Sequence, residues 1–360
     1  MNILSVAYPF AAVGPAAVGG AEQVLAQIDR GLVRAGHRSV VIAAEGSAVC
    51  GELIAVPLPP GTVDDDVRAV THELWRAAIR DAIQQSDIDV VHLHGVDFHR
   101  YTPSGLPVVA TLHLPISFYP AADLCAIAAN TYLVCVSQNQ RRSCPPMLEI
   151  AEVIENGVEL DDTVESVSPG CRYALAMGRI CPEKGFHLAV DAAEQAGVPL
   201  FLAGQVFPYA EHVRYFEQVL EPRLKPPHRF LGPLGPAQKQ AWLGGARCLL
   251  APSLVAETSS LVTMEALSAG TPVVAFPSGA LADLIEDSRT GFIVHDTTEM
   301  AAAIRRAGEI SRDGCRQVAR ERFSAARMTA QYLDLYERLS RESFQTTACR
   351  RAISAYQPLR

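Results

Sequence analysis

The sequence predicts two Rossmann-like, doubly wound α/β domains, each on a parallel sheet. Three observations lead there. Its 360 residues exceed what one ordinary core organises. Short continuous apolar runs alternate with helical stretches from end to end, as expected of strands buried on both faces. The alternation also comes as two successive series, which implies two such domains facing each other across a cleft.

The first series opens with an apolar run over residues 3–7, followed by a loop that closes at Gly19-Gly20. Val24, Leu25, Ile28 and Leu32 then mark one face of a helix over 22–35, which Gly36 stops. Strands follow at 39–43, 89–93, 107–112 and 132–136, with a helix at about 67–85. The second series has strands at 173–177, 199–203, 248–251, 272–275 and 291–294. Its helices fall near 187–195, 209–220, 237–243 and 261–269. The acidic, Ser- and Pro-bearing stretch 161–169 reads as the connection between the two series. A last helix, about 325–339, carries Met328, Tyr332, Leu335, Tyr336 and Leu339 on its apolar face. The expected division is an N-terminal domain over 1–165, a C-terminal domain over 166–324, a helix over 325–342 and a tail over 343–360.

Composition narrows the function. With 49% hydrophobic and 19% charged residues the chain is not disordered. A net charge of −8 shows no basic face for nucleic acid, yet leaves room for a few local cations to hold a small anion. Nine cysteines without a C-x-x-C pair describe neither a disulfide framework nor a zinc ribbon, so a reducing cytoplasm is the expected setting. The N-terminus lacks the basic region of a signal peptide, and no apolar run approaches the ~20 residues that span a bilayer. Contact with a membrane surface is compatible with all of this.

The strongest chemical signal runs from Ala256 to Val274. Glu257 and Glu265 are separated by seven residues, with Ser259-Ser260 opening a helix between them. Either serine suits an N-cap, and the free N–H groups of such a helix start attract phosphate. The two carboxylates are spaced to hold sugar and ribose hydroxyls beside it. The bland alternative is a capped surface helix with incidental acids.

A second signal is Met177-Gly178-Arg179-Ile180-Cys181-Pro182-Glu183-Lys184-Gly185, after the first strand of the second series. Ligands of open α/β sheets bind at that carboxyl edge. Arg179 and Lys184, five apart on a glycine-bounded turn, can grip a diphosphate as a fork and a point charge. Taken alone, such a turn is usually a solvated loop; coupled to the anion-binding helix start some 75 residues later, it reads as a site.

Together with other segments these motifs resemble the GT-B fold, retaining, nucleotide-sugar-dependent glycosyltransferases of family 4 (glycosyl transferases group 1). The matching parts, in family order, are Gly19-Gly20-Ala21-Glu22, Thr111-Leu112-His113, Glu155-Asn156-Gly157-Val158, the 178–185 turn, Glu257 with Glu265, Gly270-Thr271-Pro272-Val273-Val274, and Thr290-Gly291-Phe292. They cover about residues 1–340. The resemblance implies that Arg179 and Lys184 neutralise the donor diphosphate and that Glu265 binds ribose. Glu257 would take hydroxyls of the transferred sugar, and the N–H groups of Ser260 and Leu261 the distal phosphate. Gly20 would approach that phosphate or the acceptor, and His113 would lie by the anomeric carbon. It further implies a uridine nucleotide, a sugar, lipid-linked or natural-product acceptor bound by the first domain, the last helix crossing back to that domain, and no cofactor or catalytic metal. One departure is Ser260, where many members have glycine; its Cβ makes donor identity less transferable.

Counter-candidates have plainer readings. Asp64-Asp65-Asp66 precedes a helix and suits its positive end rather than a metal. His92 and His94 share a strand face without a third ligand at a zinc spacing, and read as lining or packing residues. Gly14, Gly19 and Gly20 do not make G-x-G-x-x-G, so nicotinamide binding is not expected. Cys181, a loop cysteine with no paired histidine, reads as a bystander. Phe98, Tyr101, Phe118 and Tyr119 suit either stacking on a sugar or packing. No covalent nucleophile stands out, which favours transfer on one face with the leaving phosphate taking the acceptor's proton. The competing activities are a sugar-nucleotide 2-epimerase of the same architecture and a non-catalytic nucleotide-sugar-binding protein.

Overall fold

The computed structural model describes residues 1–15, 17, 19–59, 63–160 and 173–355, and the side chains of these outside 343–355. The connection expected at 161–169 lies outside the described residues. The chain forms two compact units: Met1–Cys135 with Cys144–Ile154 and Ala326–Arg360, and Val136–Ser143 with Glu155–Ala325.

The first unit contains β1 (Asn2–Val6), α1 (Gly20–Arg34), β2 (Arg38–Ala44), β3 (Glu52–Val56), α2 (Asp65–Gln85), β4 (Val90–Leu93), β5 (Val108–Leu112), α3 (Ala121–Cys125) and β6 (Thr131–Cys135). After α4 (Gln138–Ser143), whose contacts place it with the second unit, β7 (Ile150–Val153) completes a seven-stranded sheet of order β3-β2-β1-β4-β5-β6-β7. All its pairings are parallel. The central strands are buried, β4 and β5 throughout and β1 from Ile3 onward, as continuous apolar runs require. Val24, Leu25, Ile28 and Leu32 bury the expected face of α1. Gly36 ends that helix at φ +80°, its N–H bonding Val33 O while His37 N–H reaches Leu32 O. Asp64 caps α2 by accepting from Val67 N–H at 2.9 Å, so the triple aspartate forms a helix start.

The second unit contains β8 (Ala174–Met177), α5 (Phe186–Ala196), β9 (Leu200–Ala203), α6 (Ala210–Tyr215), β10 (Arg229–Gly232), α7 (Pro236–Gly245), β11 (Cys248–Ala251), α8 (Leu261–Ser268), β12 (Val273–Ala275), α9 (Leu281–Leu284), β13 (Gly291–Ile293), α10 (Thr297–Arg306) and α11 (Arg312–Arg322). Its parallel sheet has the order β10-β9-β8-β11-β12-β13. Each sheet therefore reverses direction once, between β1 and β4 and between β8 and β11. The carboxyl ends of the strands at such a reversal leave room for a ligand, because their loops depart to opposite sides.

The final helix, α12 (Ala325–Ala355), packs on the first unit. Met328, Tyr332, Leu335, Tyr336 and Leu339 are buried, as their spacing predicts. Tyr332 OH pairs with Thr111 Oγ1 at 2.9 Å and Tyr336 OH with His92 Nδ1 at 2.6 Å. The helix does not give way to a tail at 343. Residues 340–355 contain neither glycine nor proline, so nothing in the backbone interrupts it.

Gly185 fixes the geometry of the 178–185 turn. It has φ +63°, and a Cβ there would stand 2.2 Å from the Pro252 carbonyl oxygen. Gly185→Ala is expected to destabilise the second unit by at least ~1 kcal/mol from the left-handed backbone alone. Urea unfolding followed by far-ultraviolet circular dichroism checks this; an unchanged midpoint would show that the turn yields freely.

Candidate active site

Two loops leave the carboxyl ends of the adjacent strands β8 and β11. The first runs through Arg179 and Lys184 to the start of α5, and the second through Ser253 and Glu257 to the start of α8. Main-chain bonding locks them together, with Leu254 N–H donating to Glu183 O at 2.8 Å. Lys184 Nζ donates to Glu257 Oε1 at 2.6 Å, and Ser253 Oγ donates to the same oxygen. Glu257 is held further by Gly279, whose φ of +63° brings its backbone against that of Glu257. Lys184 and Glu257, 73 residues apart in sequence, thus form one cation–carboxylate pair, both side chains mostly buried. Arg179 is exposed on the same loop, and its guanidinium acts electrostatically on Cys181 and Glu183.

Ser260 occupies the N-cap position of α8, but its side chain does not cap the helix; Ser260 Oγ bonds Thr263 Oγ1 at 2.9 Å instead. The expectation that a serine hydroxyl satisfies this helix start is therefore corrected, because the hydroxyl of Thr263 offers a nearer partner. Leu261 begins the helix, and Glu265 projects from its second turn. Lys239 Nζ of α7 meets Glu265 Oε1 at 2.5 Å. Burial raises the pKa of Glu265, and Lys239 opposes that rise. Lys239 has no signal in the sequence, since it lies on a short helix among glutamines that carry no motif.

In the first unit the reversal at β1 and β4 gathers a different chemistry. His92 and His94 from β4 and its end, both buried, and the half-buried His113 after β5 form a histidine group. His92 Nε2 pairs with Thr111 Oγ1 at 2.7 Å, so both of its nitrogens are engaged. His94 Nδ1 pairs with His113 Nε2 at 3.0 Å, with the rings stacked. Burial pushes the pKa of His113 down to about 4 and those of His92 and His94 well below the ordinary range. All three are neutral at pH 7. Gly20 opens α1, where Gly19 supplies no side-chain cap. The Glu22 carboxylate folds back against Gly19, and burial raises its pKa.

Of the four aromatics considered for stacking, Phe98, Tyr101 and Tyr119 are core residues. Tyr101 OH donates to Asp97 Oδ1 at 2.8 Å, and Tyr119 OH accepts from Leu114 N–H at 3.3 Å. Only Phe118 of this group is exposed.

Residues 18–162 match the family model described as Glycosyltransferase Family 4, and residues 171–309 that of Glycosyl transferases group 1. The D-inositol 3-phosphate glycosyltransferase of Nocardioides sp. (strain ATCC BAA-499 / JS614) is 36% identical over 121 residues, 32% of this chain and 26% of that protein. The chain thus matches about a quarter of that relative's length. The phosphatidyl-myo-inositol mannosyltransferase of Mycobacterium leprae (strain TN) is 28% identical over 306 residues, 76% of each chain. Anabaena Alr3699/HepE, solved in complex with UDP and glucose, superposes with a TM-score of 0.73 at 19% identity, over 94% of this chain and 99% of that one. This likeness identifies the fold. No described helix is long and apolar enough to cross a membrane.

Two measurements test the electrostatics. Lys239→Met leaves the Glu265 carboxylate buried without its counter-charge, and is expected to cost about 1–3 kcal/mol at pH 7.5. Adding Glu265→Gln should restore part of that loss; full additivity in urea unfolding would show that the two side chains do not interact. For His113 the folded pKa of about 4 lies below the ordinary 6.5, so the unfolded chain takes up the proton first. Stability is present above pH 6.5 and falls as pH drops toward 4, by about 3 kcal/mol for this group. His113→Gln should flatten that slope by a similar amount.

Proposed function

The chain belongs to the group 1, family 4 glycosyltransferases of GT-B fold, and on that premise we propose that its donor is a nucleoside diphosphate sugar, with uridine as the base. The glycosyl group would pass to an acceptor hydroxyl with anomeric retention and without a catalytic metal. One observation carries this reading: loops from β8 and β11, at the reversal of the second sheet, bring Lys184 onto Glu257 beside the start of α8. A cation, a carboxylate and a helix N-terminus are the three elements a sugar diphosphate requires.

On binding, Lys184 exchanges its contact with Glu257 for the diphosphate, and Glu257 turns its freed oxygen to the sugar hydroxyls. Arg179, exposed on the same turn, supplies the second cation, and the N–H groups of Ser260 and Leu261 the distal phosphate contact. Glu265, oriented by Lys239, accepts from the ribose hydroxyls. In the first unit, His113 is a neutral imidazole able to hydrogen-bond a sugar hydroxyl, and Gly20 opens α1 with no side chain of its own. The bond from C1 to the diphosphate oxygen breaks as the acceptor oxygen bonds C1 on the same face. The acceptor's proton passes to the departing phosphate. Charge growing on that phosphate is met by groups already in position, usually the largest catalytic contribution.

The Anabaena protein's complex with UDP and glucose, and the mannosyltransferase relative, support the class of donor. A sugar, lipid-linked or natural-product hydroxyl is the acceptor class.

Thermal shift with a panel of nucleoside diphosphates and their sugars identifies the donor, since a ligand that binds only the folded state raises apparent stability. With that donor, Arg179→Ala and Lys184→Ala are each expected to lower turnover by the equivalent of about 2–4 kcal/mol. Unchanged turnover and donor affinity in both would remove the diphosphate assignment. An inverted anomer in the product's proton NMR spectrum would remove the same-face route.

A further inference from the structure

Cys181, Glu183 and His212 place one ligand atom each within 4.8 Å of one another. Cys181 and Glu183 belong to the loop between β8 and α5, and His212 to α6. The Cys181 side chain is fully buried. Glu183 Oε2 and His212 Nδ1 are also buried, and neither has a hydrogen-bond partner among the described residues. Two such orphaned atoms within 4.8 Å of each other are costly unless something occupies the space between them. The Cys181 thiol, which without metal donates to Arg179 O at 3.6 Å and is hydrogen-bonded to the Glu183 carboxylate, contributes the third corner.

We propose that Cys181, Glu183 and His212 form a binding site for a zinc-class divalent cation. Sulfur, imidazole and carboxylate are the donors Zn²⁺ takes, whereas Mg²⁺ and Ca²⁺ require oxygen throughout. Tetrahedral Zn²⁺ bonded at 2.0–2.3 Å sets its ligand atoms roughly 3.3–3.6 Å apart. The corners therefore close by about 1.5 Å at most, within reach of side-chain rotation. As the zinc–sulfur bond forms, the thiol releases its proton to solvent and the metal keeps its oxidation state. Water completes the fourth position.

The site lies between the two proposed diphosphate cations, Arg179 and Lys184, and ties their loop to α6. α6 is itself anchored, because Tyr215 OH accepts from His187 N–H of α5 at 3.2 Å. Metal binding also changes the local charge. The apo group carries the Glu183 carboxylate alone, at −1, whereas zinc with thiolate and carboxylate sums to zero. One negative charge beside Arg179 is thereby removed, which favours an anionic ligand. The cation acts as a clamp on this loop, outside the transfer chemistry.

The test uses the full chain, reduced and stripped of metal, titrated with Co²⁺. The expected result is one equivalent that develops a thiolate-to-cobalt charge-transfer band and tetrahedral ligand-field bands, both bleached by Zn²⁺. Cys181→Ser should abolish the charge-transfer band, and His212→Ala should weaken Co²⁺ binding by more than about tenfold, the loss seen for outer-shell partners of metal sites. Glu183→Gln, which keeps the side chain's shape, should weaken it likewise. No band in the parent chain, or the same band and affinity in all three variants, overturns the proposal; the latter would place cobalt on another cysteine, such as the exposed Cys50 or Cys125. The readout is metal binding, so it stands or falls independently of whether the chain takes a sugar nucleotide.

Discussion

The reversal of strand order between β8 and β11 is the constraint on which the candidate site depends. Neighbouring parallel strands must be connected through helices on the sheet faces, and only at a reversal do the two following loops separate and leave their main-chain edges accessible. Here the separation is bridged by Leu254 N–H on Glu183 O and by Lys184 on Glu257. Gly185 and Gly279 permit the approach, each at a left-handed backbone angle where a side chain would strike a carbonyl oxygen. Shifting either strand by one residue would part the lysine from the glutamate and invert which side chains face the helices.

Both carboxylates of the site are already satisfied by lysines, and this shapes how a ligand would enter. A largely buried charge is costly to leave unpaired. Exchanging Glu257 for a phosphate keeps the Lys184 ammonium paired throughout, and returns a carboxylate free to accept hydroxyls. The pair of Lys239 with Glu265 is covered to a similar degree, and burial presses the Glu265 carboxyl towards its neutral form. The histidine group of the first unit works by the opposite principle. Its burial removes charge, so His113 offers a hydrogen bond and no net field.

The centre of each sheet was legible in the sequence because its strands are buried on both faces and read as apolar runs. The three strands that escaped that reading, β3, β7 and β10, are all edges. Their residues are only partly buried, and Glu52, Glu152 and Arg229 interrupt the apolar pattern. Helices α10 and α11 went unassigned for want of a strand beyond them to complete the alternation. At the site, Arg179, Lys184, Glu257 and Glu265 were visible as motifs because each lies in a short segment of recognisable chemistry. Lys239 was not, since its partner is 26 residues distant. His212 was missed for the same reason, and Cys181 looked solitary without it. Phe98, Tyr101 and Tyr119 show the converse: an aromatic in a loop carries no mark of whether it faces a ligand or the core.

The path of α12 bears on how the polypeptide is made. The first seven strands leave the ribosome before those of the second unit, yet the phenols that engage His92 and Thr111 belong to residues 332 and 336, which emerge only after them. Until then the His92 imidazole and the Thr111 hydroxyl have each other but lack their phenol partners inside an apolar layer of the first unit. Its completion is thus deferred until the other half has been synthesised, so the order of biogenesis differs from the order of the sheets.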